Sequence, residues 1–309
     1  MAFRDIRVWL PGPDSAALMG GLPDGMTADV WAGGEQLPDS VDEVEVVVLP
    51  FVVPSSRMPL LAKLPRLRLI QLMSAGAERV VPFVPVGVTL GNARGAHDPA
   101  VAEWIMAVIL AEVRRLPRFL AAQHAGTWDY AESRPLAGQH VLIVGYGSIG
   151  AAVERMLDPF GVTMTRLARH ARPGVSSMDD LPALLPRADI VILLVPVTPA
   201  TTGLADARFL SAMHDDALLV NAARGSIVDT GALLAELRSG RLRAALDVTD
   251  PEPLPAGHPL WSAPGLLLTP HIAGATTQAI PRAMAVVRAQ LARYAAGQPL
   301  LNVVGDQGY

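Results

Sequence analysis

Three ionisable side chains lie just beyond short apolar runs, in a pattern that could support catalysis. Arg224, Glu252 and His271 each follow a run that is typical of a buried strand. A histidine can carry or release a proton near neutral pH, and a neighbouring carboxylate favours the protonated ring and fixes its orientation. An arginine offers a fixed fork of donors to a carboxylate or a carbonyl oxygen. The three residue types together predict an acid/base centre beside an anion-binding arginine.

A glycine-rich segment supplies a second candidate site. Residues 141–144 form a short, mostly β-branched apolar run, and Gly145, Gly147 and Gly150 follow it. Between a strand and a helix, the first glycine permits a tight turn and the second lets the backbone approach a pyrophosphate. The third lets the helix pack against the strand. A helix from about Ser148 would offer free N–H groups to phosphate. The segment predicts a dinucleotide site, with an ordinary glycine-rich turn as the alternative.

The elements that would position these residues alternate between strands and helices. Strands are predicted at residues 4–10, 44–49, 67–72, 88–90, 141–144, 162–167, 190–195, 217–220, 243–248 and 265–268. This alternation favours the α/β class, with two doubly wound parallel sheets. Ligands of such sheets bind outside the carboxyl ends of the strands. Thr198 and Asp247 fall at predicted strand ends, as do the three ionisable residues, which would bring all five to one edge of a sheet.

Helices are predicted between these strands. Their ranges are 55–63, 98 to about 122, 148 to about 158, 178–185, 209–213, 229–238 and 277–296. The first would be capped by Ser55. The second begins with Asp98 as N-cap and Pro99 at the first helical position. It is apolar on more than one face, so we expect it to be buried, in its own domain or against a partner subunit.

The composition of the chain excludes or disfavours several kinds of partner and site. A chain of 309 residues that is 51% hydrophobic predicts about two domains with ample core. The net charge of −4 favours neither nucleic acid nor an anionic membrane surface as a partner. The lack of cysteine excludes disulfides and thiol catalysis, and the histidine spacing predicts no metal site. Without a signal segment or a bilayer-length apolar run, the sequence predicts a cytoplasmic protein.

Five segments together closely resemble the D-isomer-specific 2-hydroxyacid dehydrogenases. They are residues 145–150 (GYGSIG), 195–199 (VPVTP), 221–229 (NAARGSIVD), 246–248 with 252–254 (LDV and EPL), and 269–274 (TPHIAG). The resemblance covers the whole chain, although only in outline over roughly the first ninety residues. It implies a Rossmann dinucleotide-binding domain inserted into a flavodoxin-like substrate domain. The expected boundaries are 1–97 and 98–275, with 276–309 forming a helix that returns to the substrate domain.

The resemblance also implies an activity and residue roles. The chain would transfer hydride between NAD(P)H and a small 2-keto acid, similar to glyoxylate/hydroxypyruvate reductases, and would form a homodimer. Arg224 would bind the substrate, Glu252 would support His271, and His271 would act as acid and base, with Asp247 near the nicotinamide carboxamide. The cofactor-binding set would be Gly145, Tyr146, Gly147, Ser148, Ile149, Gly150, Ala168, Arg169, His170, Arg172, Val195, Pro196, Thr198, Thr202, Ala222, Ala223, Asp247, His271 and Ala273.

A loop early in the chain would complete the substrate site. By the same resemblance, backbone N–H groups around Ser74, Ala75 and Gly76 would bind the substrate carboxylate, together with Arg224 and His271. The loop lacks the family's common Val-Gly-x-Asp form, which leaves the pocket for the substrate side chain undefined.

The end of the second strand of the dinucleotide unit bears on the choice of cofactor. An acidic residue there usually binds the ribose 2′-hydroxyl of NAD. This chain has Ala168 at that position, followed by Arg169 and Arg172. An arginine could hold a 2′-phosphate, and the missing acid removes a repulsive charge. The sequence therefore favours NADP, with NAD as a possible cofactor.

Two other classes of protein share this scaffold: a different enzyme and a non-catalytic binding protein. A phosphite-type dehydrogenase would keep Arg224, Glu252 and His271, whereas a formate dehydrogenase would carry Gln in place of Glu252 and is disfavoured. The other class is a non-catalytic, dinucleotide-sensing binding protein. Such proteins carry disordered extensions and partner clefts, and the sequence shows no obvious tail or basic patch.

Overall fold

The computed structural model describes residues 5–305, which form two compact units. One unit comprises the described parts of Met1–His97 and Thr277–Tyr309, and the other comprises Asp98–Thr276. Each unit is built on one sheet whose named strands are all parallel. The predicted α/β class with two doubly wound parallel sheets is therefore confirmed. Among residues 5–305, no helix is long and apolar enough to cross a membrane.

The sheet of the first unit has the flavodoxin-like order. Its strands are β1 (Ile6–Leu10), β2 (Met26–Val30), β3 (Val44–Leu49), β4 (Leu69–Leu72) and β5 (Thr89–Gly91), arranged β2-β1-β3-β4-β5. The central strand β3 is buried along its whole length, which explains its continuous apolar sequence. The edge strand β2 was not predicted, because most of its residues are exposed or half-buried and the sequence MTADV contains no apolar run.

Short helical pieces connect these strands. They are α1 (Ser15–Leu18) and two 3-10 helices, Ser55–Lys63 and Val81–Phe83. The prediction of a serine cap at residue 55 is wrong, because Pro54 occupies the cap position and no side chain caps the helix. Pro59 lies inside this segment and lacks a backbone N–H, which is consistent with 3-10 turns in place of an α-helix.

The sheet of the second unit has the Rossmann arrangement. Its strands are β6 (His140–Val144), β7 (Thr163–Ala168), β8 (Ser176–Ser177), β9 (Ile190–Leu193), β10 (Leu218–Asn221), β11 (Arg243–Leu246) and β12 (Leu266–Leu268). They are ordered β12-β11-β10-β9-β6-β7-β8, so the strand order reverses between β6 and β9. Leu142 and Val144 face one core cluster and Val141 and Ile143 face the other, because successive side chains of a strand alternate.

Six α-helices belong to the described part of this second unit. They are α2 (Asp98–Val113), α3 (Leu116–His124), α4 (Ser148–Leu157), α5 (Leu181–Leu184), α6 (Ala207–Ala212) and α7 (Thr230–Arg238). Its 3-10 segments are Asp158–Phe160, Met178–Asp180, Leu185–Arg187, Gly225–Ile227 and Pro259–Ser262. The prediction of one helix from 98 to about 122 is wrong. Arg115 adopts a left-handed backbone with φ 53°, and the new helix α3 begins at Leu116 with Pro117 in its first turn.

The last helix, α8 (Ala279–Ala295), completes the first unit. Met284, Val287 and Leu291 recur at helical spacing and are buried in a cluster that includes Val8 and Val46 of the sheet. Helix α8 therefore covers one face of the five-stranded sheet with its apolar side.

Candidate active site

The three glycines between β6 and α4 meet three different steric demands. Gly145 has φ 103°, and a Cβ there would lie 2.6 Å from the backbone carbon of Leu194. A Cβ on Gly150 would approach the Tyr146 ring to 3.2 Å, so glycine allows α4 to pack closely. Apart from its two chain neighbours, no residue has an atom within 4 Å of a Cβ built on Gly147. The residues therefore fit a dinucleotide, with open space at the amino end of α4 for its pyrophosphate.

The end of β7 is bonded directly to this glycine turn. The backbone N–H groups of Gly145 and Tyr146 both donate to the carbonyl of Leu167, at 3.0 and 2.7 Å. Ala168, the last residue of β7, is half-buried, and Arg169, which follows it, is exposed. The positions predicted to select the cofactor therefore lie beside the glycine turn.

Arg172 is held against the same turn. Its Nη2 donates to the Tyr146 carbonyl at 2.7 Å, and its guanidinium carbon lies 5.7 Å from the centroid of the Tyr146 ring. Residues 172–175 form a tight turn in which the N–H groups of Arg172 and Val175 donate to each other's carbonyls, with Gly174 at φ 75°. The exposed side chain of His170 lies between Arg169 and this turn in the sequence.

Beside the turn, a charged cluster that was not predicted fixes the ring of Tyr146. Glu154 accepts hydrogen bonds from the Tyr146 hydroxyl and, at 2.9 Å, from Arg166 Nε. The bond from Arg166 lowers the pKa of the Glu154 carboxyl, and the bond to Glu154 raises the pKa of the Tyr146 hydroxyl. Nothing in the separate segments of sequence indicated that these side chains meet across α4 and β7.

Glu252 and His271 form the hydrogen-bonded pair that their residue types predicted. Nδ1 of His271 lies 2.6 Å from Oε1 of Glu252, and both side chains remain partly exposed. With Nδ1 directed at the carboxylate, Nε2 is the ring nitrogen positioned to exchange a proton with a ligand. His271 has a left-handed backbone with φ 57°, and its N–H donates to the carbonyl of Asp247 at 2.7 Å.

The carboxylate of Asp247 organises the loop that carries His271. This side chain is buried, at 2% exposure, directly after β11. Its Oδ1 accepts from Thr269 Oγ1 at 2.6 Å and from the Ile272 N–H at 2.8 Å, and its Oδ2 accepts from the Ala273 N–H at 2.8 Å. Bonds to an ionised acceptor are among the stronger ones in proteins. The Asp247 carboxylate thus binds the Thr269 side chain before His271 and two backbone N–H groups after it, while its contact with a nicotinamide carboxamide stays a prediction.

Asn221, at the end of β10, positions the loop of Arg224. Its buried side-chain amide donates to the Arg224 carbonyl at 2.9 Å and accepts from the Ala223 N–H at 3.0 Å. Arg224 Nη1 donates to the Ala223 carbonyl at 2.6 Å. Asn221 was not singled out for a role, although a polar residue closing an otherwise apolar strand was the available signal.

Gly225 lets this loop pack on the segment that leads to Glu252. A Cβ on Gly225 would lie 2.0 Å from the backbone carbonyl of Thr249, which no rearrangement of side chains could relieve. Only glycine therefore allows the two loops to touch. The need for glycine here could not be read from the sequence, because it arises from a contact between segments that are far apart in the chain.

The loop after β9 is held together by a threonine that was not predicted. Thr201 Oγ1 donates to the Pro196 carbonyl at 2.6 Å and accepts from the Thr198 N–H at 2.8 Å. Thr202 Oγ1 donates to the Thr198 carbonyl at 2.9 Å. Cofactor contacts by Thr198 and Thr202, and by the half-buried or buried Val195, Pro196, Ala222, Ala223 and Ala273, stay predictions.

The predicted substrate loop belongs to the first unit. Ser74 Oγ donates to the Gly76 carbonyl at 2.9 Å, and Asn92 Nδ2 donates to the Ala75 carbonyl at 2.9 Å. Ring nitrogen Nε2 of His97 lies 2.9 Å from the Met73 carbonyl. The loop is therefore fixed by its own unit. Over residues 5–305, no group of three or more His, Cys, Asp or Glu side chains could hold a metal ion.

Comparison with known proteins gives a consistent assignment. The model of the NAD-binding domain of D-isomer-specific 2-hydroxyacid dehydrogenases matches residues 106–273. A glyoxylate reductase of Thermofilum pendens is 35% identical over 233 residues, which cover 71% of this chain and 69% of that protein. A D-3-phosphoglycerate dehydrogenase of Methanocaldococcus jannaschii is 30% identical over 281 residues, which cover 87% of this chain and 53% of that protein. The match to that relative thus spans about half of its length.

Solved structures extend the likeness over nearly the whole chain. A D-isomer-specific 2-hydroxyacid dehydrogenase from Xanthobacter autotrophicus Py2, in complex with NADPH and MES, superposes with a TM-score of 0.85 at 30% identity and covers 98% of both chains. An NADPH-dependent glyoxylate/hydroxypyruvate reductase from Sinorhizobium meliloti, in complex with NADP and sulfate, also gives 0.85 at 25% identity. It covers 99% of this chain and 100% of that one.

Proposed function

Because the chain belongs to the D-isomer-specific 2-hydroxyacid dehydrogenase family, we propose that it reduces a small 2-keto acid of the glyoxylate or hydroxypyruvate kind, with NADPH as the preferred reductant. The observation that carries this proposal is the 2.6 Å contact between His271 and Glu252. This pair and Arg224 follow strands of the same sheet that bears the glycine turn. Relatives named glyoxylate reductase support the choice of substrate class.

The proposed mechanism uses each side chain for one task. A bound nicotinamide supplies hydride to the carbonyl carbon of the keto acid. Arg224 binds the acid through its guanidinium, which matches the planar geometry of a carboxylate. His271 donates the proton on Nε2 to the carbonyl oxygen as this oxygen gains negative charge. Glu252, at Nδ1, stabilises the charged ring before transfer and holds its orientation throughout. In the reverse direction, His271 accepts the hydroxyl proton.

The preference for NADPH rests on the end of β7. Ala168 brings no negative charge there, and the exposed Arg169 and Arg172 lie next to the glycine turn. An arginine at this position can pair with a 2′-phosphate, whereas a carboxylate would repel it. The relatives from X. autotrophicus and S. meliloti are described with NADPH and NADP.

Ala168→Asp tests this preference. The ratio of kcat/KM for NADPH to that for NADH should fall at least about tenfold, because a carboxylate repels the 2′-phosphate and can accept a bond from a 2′-hydroxyl. Ala168→Asn is the matched control, with nearly the same shape and no charge, and should leave the ratio within about threefold of wild type. An unchanged ratio in the Asp variant contradicts the preference.

A homodimer is proposed on the apolar surface of α3 and the loop after it. Leu116 and Leu120 are 48% and 54% exposed, and Trp128 and Tyr130 are 96% and 80% exposed. Exposed large apolar side chains, particularly aromatic ones, are typical of protein interfaces. Leu120→Glu should convert a dimer into a monomer in light scattering. A wild-type monomer would refute the proposal.

The cytoplasmic location stays a prediction.

A substrate panel tests the proposed activity. Glyoxylate, hydroxypyruvate, pyruvate and phenylpyruvate are each offered with NADPH and NADH, and phosphite is offered with NADP⁺ and NAD⁺. Glyoxylate or hydroxypyruvate should give the highest kcat/KM. Turnover of phosphite alone would favour a phosphite-type dehydrogenase. Binding of NADPH without turnover of any keto acid or of phosphite would favour a dinucleotide-sensing protein.

A further inference from the structure

The segment of residues 299–304, called the tail below, lies along the edge of the first unit's sheet. It pairs antiparallel with β5. The Val304 N–H donates to the Leu90 carbonyl at 2.8 Å, and the Asn92 N–H donates to the Asn302 carbonyl at 3.0 Å. The tail thus satisfies backbone groups that an edge strand would otherwise leave open. Its pairing extends to Asn92, the first residue beyond β5.

Helix α8 holds the tail in place through one buried amide. Gln290, at 3% exposure, donates from Nε2 to the Leu301 carbonyl at 2.6 Å and accepts from the Leu301 N–H at 2.9 Å. This side chain pairs with the tail as a neighbouring strand would. A Cβ on Gly91 would lie 2.9 Å from Gln290 Nε2 and 2.6 Å from Gln71 Oε1, so a glycine in β5 makes room for both amides.

Asn302 makes two bonds from the tail to the segment after β5. Its carbonyl accepts from the Asn92 N–H, and its Nδ2 donates to the Arg94 carbonyl at 3.1 Å. Its backbone is left-handed, with φ 51°, a conformation that asparagine tolerates better than most residues. The residue type therefore suits both the backbone conformation and the side-chain bond.

The segment after β5 in turn holds the substrate loop. Asn92 is buried, and its Nδ2 donates to the Ala75 carbonyl at 2.9 Å, while the Ala93 N–H donates to the Ser74 carbonyl at 2.9 Å. A peptide group is planar and trans, so fixing the direction of a carbonyl also fixes the N–H of the next residue, which points the opposite way. The bonds to Ser74 and Ala75 therefore set the directions of the N–H groups of Ala75 and Gly76.

We propose that the tail, acting through Asn302 and Asn92, is the element that positions the substrate loop for binding a carboxylate. This inference rests on the proposed function, because the carboxylate is that of the keto acid. Asn302 acts through the segment after β5, so it is a positioning residue. It should influence the KM for the keto acid and leave the dinucleotide unit unaffected.

Asn302→Ala tests the inference, since it removes the side-chain bond and disfavours the left-handed backbone. The KM for the keto acid reduced best should rise about five- to tenfold, the equivalent of one or two hydrogen bonds. The kcat and the Kd for NADPH should stay within about twofold of wild type. Amide hydrogen exchange of a peptide covering residues 73–77 should become faster in the protein without ligands.

Two control variants separate positioning from general stability. Asn302→Gly keeps the left-handed backbone and the bond from Asn92 and loses the side-chain bond to Arg94, so its KM should lie between those of wild type and Asn302→Ala. Val303→Ala alters the neighbouring, half-exposed side chain and keeps every backbone bond, so it should leave KM and hydrogen exchange unchanged.

Two results would overturn the inference. One is Asn302→Ala with unchanged exchange at residues 73–77, and the other is a loss of kcat and NADPH binding with unchanged KM. The exchange measurement needs no turnover. If the wild type reduces no keto acid, the proposed function fails, and the exchange experiment still decides whether the tail holds the loop.

Discussion

The loops that follow the strands differ in chemistry between the two units. In the second unit, the loops after the strands carry Arg224, Glu252 and His271, and the carboxylate of Asp247 fixes the backbone around His271. In the first unit, the predicted substrate loop is held by neutral amides, chiefly that of Asn92. Each unit thus holds such a loop by hydrogen bonds. The loops of the second unit carry ionisable side chains, whereas the loop of the first unit is predicted to present backbone groups.

This difference divides the expected effects of substitution. Proton transfer and charge stabilisation depend on ionised groups, so changes in the second unit should act mainly on kcat. In the proposed function, backbone groups of the first unit would bind the substrate in its ground state and its transition state alike, so changes there should act mainly on KM. The Arg224 and Asp247 variants below test the second unit's part of this division, and the Asn302 variants above test the first unit's part.

Arg224→Gln should have the largest effect of the three. Loss of the guanidinium removes charge-assisted bonds to the substrate, and kcat/KM for the keto acid should fall about 10³-fold. Arg238→Gln, in the exposed last turn of α7, makes the same chemical change away from the site and should leave kcat/KM unchanged. Steady-state kinetics measure both. A loss below about tenfold in the Arg224→Gln variant would show that another group binds the keto acid.

Asp247→Asn should have the next largest effect. One oxygen becomes an NH₂ group that cannot accept the bonds now made by the loop around His271, and an unmatched buried donor costs about 1–3 kcal/mol. We expect kcat to fall about tenfold to a hundredfold, with little change in the KM for the keto acid. Asp206→Asn, at the N-cap of α6, is the matched control. If kcat stays at the wild-type value, the hydrogen bonds from Asp247 to the loop around His271 do not contribute to catalysis.

Glu112→Gln should have the smallest effect on activity and a visible one on stability. Glu112 is buried where α2 ends, and its burial raises the carboxyl pKa to about 7 although Arg243 lies 3.7 Å away. The Glu112 side chain is buried, whereas the side chains of Glu252 and His271 remain partly exposed. Arg243 is the first residue of β11, so this carboxyl lies near the amino end of that strand.

The sign of this stability effect follows from proton linkage. The folded state holds a proton on Glu112 that the unfolded chain releases near pH 4.5, so stability falls as the pH rises from about 4.5 to about 7. Glu112→Gln removes that cost, and the free energy of unfolding at pH 8 should rise by on the order of 1–3 kcal/mol, with little change at pH 4. Urea unfolding at both pH values checks this, with exposed Glu103→Gln as control. An equal gain at both pH values would contradict the raised pKa.

The sequence predicted the dinucleotide unit in more detail than the substrate unit. Strong local signals explain this: Gly145, Gly147 and Gly150 follow a buried strand, and Asp229 caps α7 as a short polar side chain should. The edge strand β2 had no apolar pattern, so local reasoning missed it. The break at Arg115 was missed because the helical pattern continues on both sides of it.

The sequence predicted which residue types make up the candidate site. It did not predict the residues that hold their loops in place. Strand ends can be located in the sequence because strands and helices alternate. The candidate residues that follow such ends are Arg224, Glu252 and His271. The roles of Asn221, Gly225 and Asn302 depend on contacts between segments that the chain brings together only on folding. Such supports leave no local periodicity, and each can be identified only from the folded backbone.

The most direct test of the central claim is a comparison of wild type with His271→Ala in NADPH-dependent reduction of glyoxylate. NADPH binding is measured in parallel by nucleotide fluorescence. We expect kcat to fall about 10²- to 10⁴-fold, the usual contribution of a general acid, while the Kd for NADPH stays within about threefold of wild type. Glyoxylate reduction at the wild-type rate by His271→Ala would contradict the assignment of His271 as the proton donor.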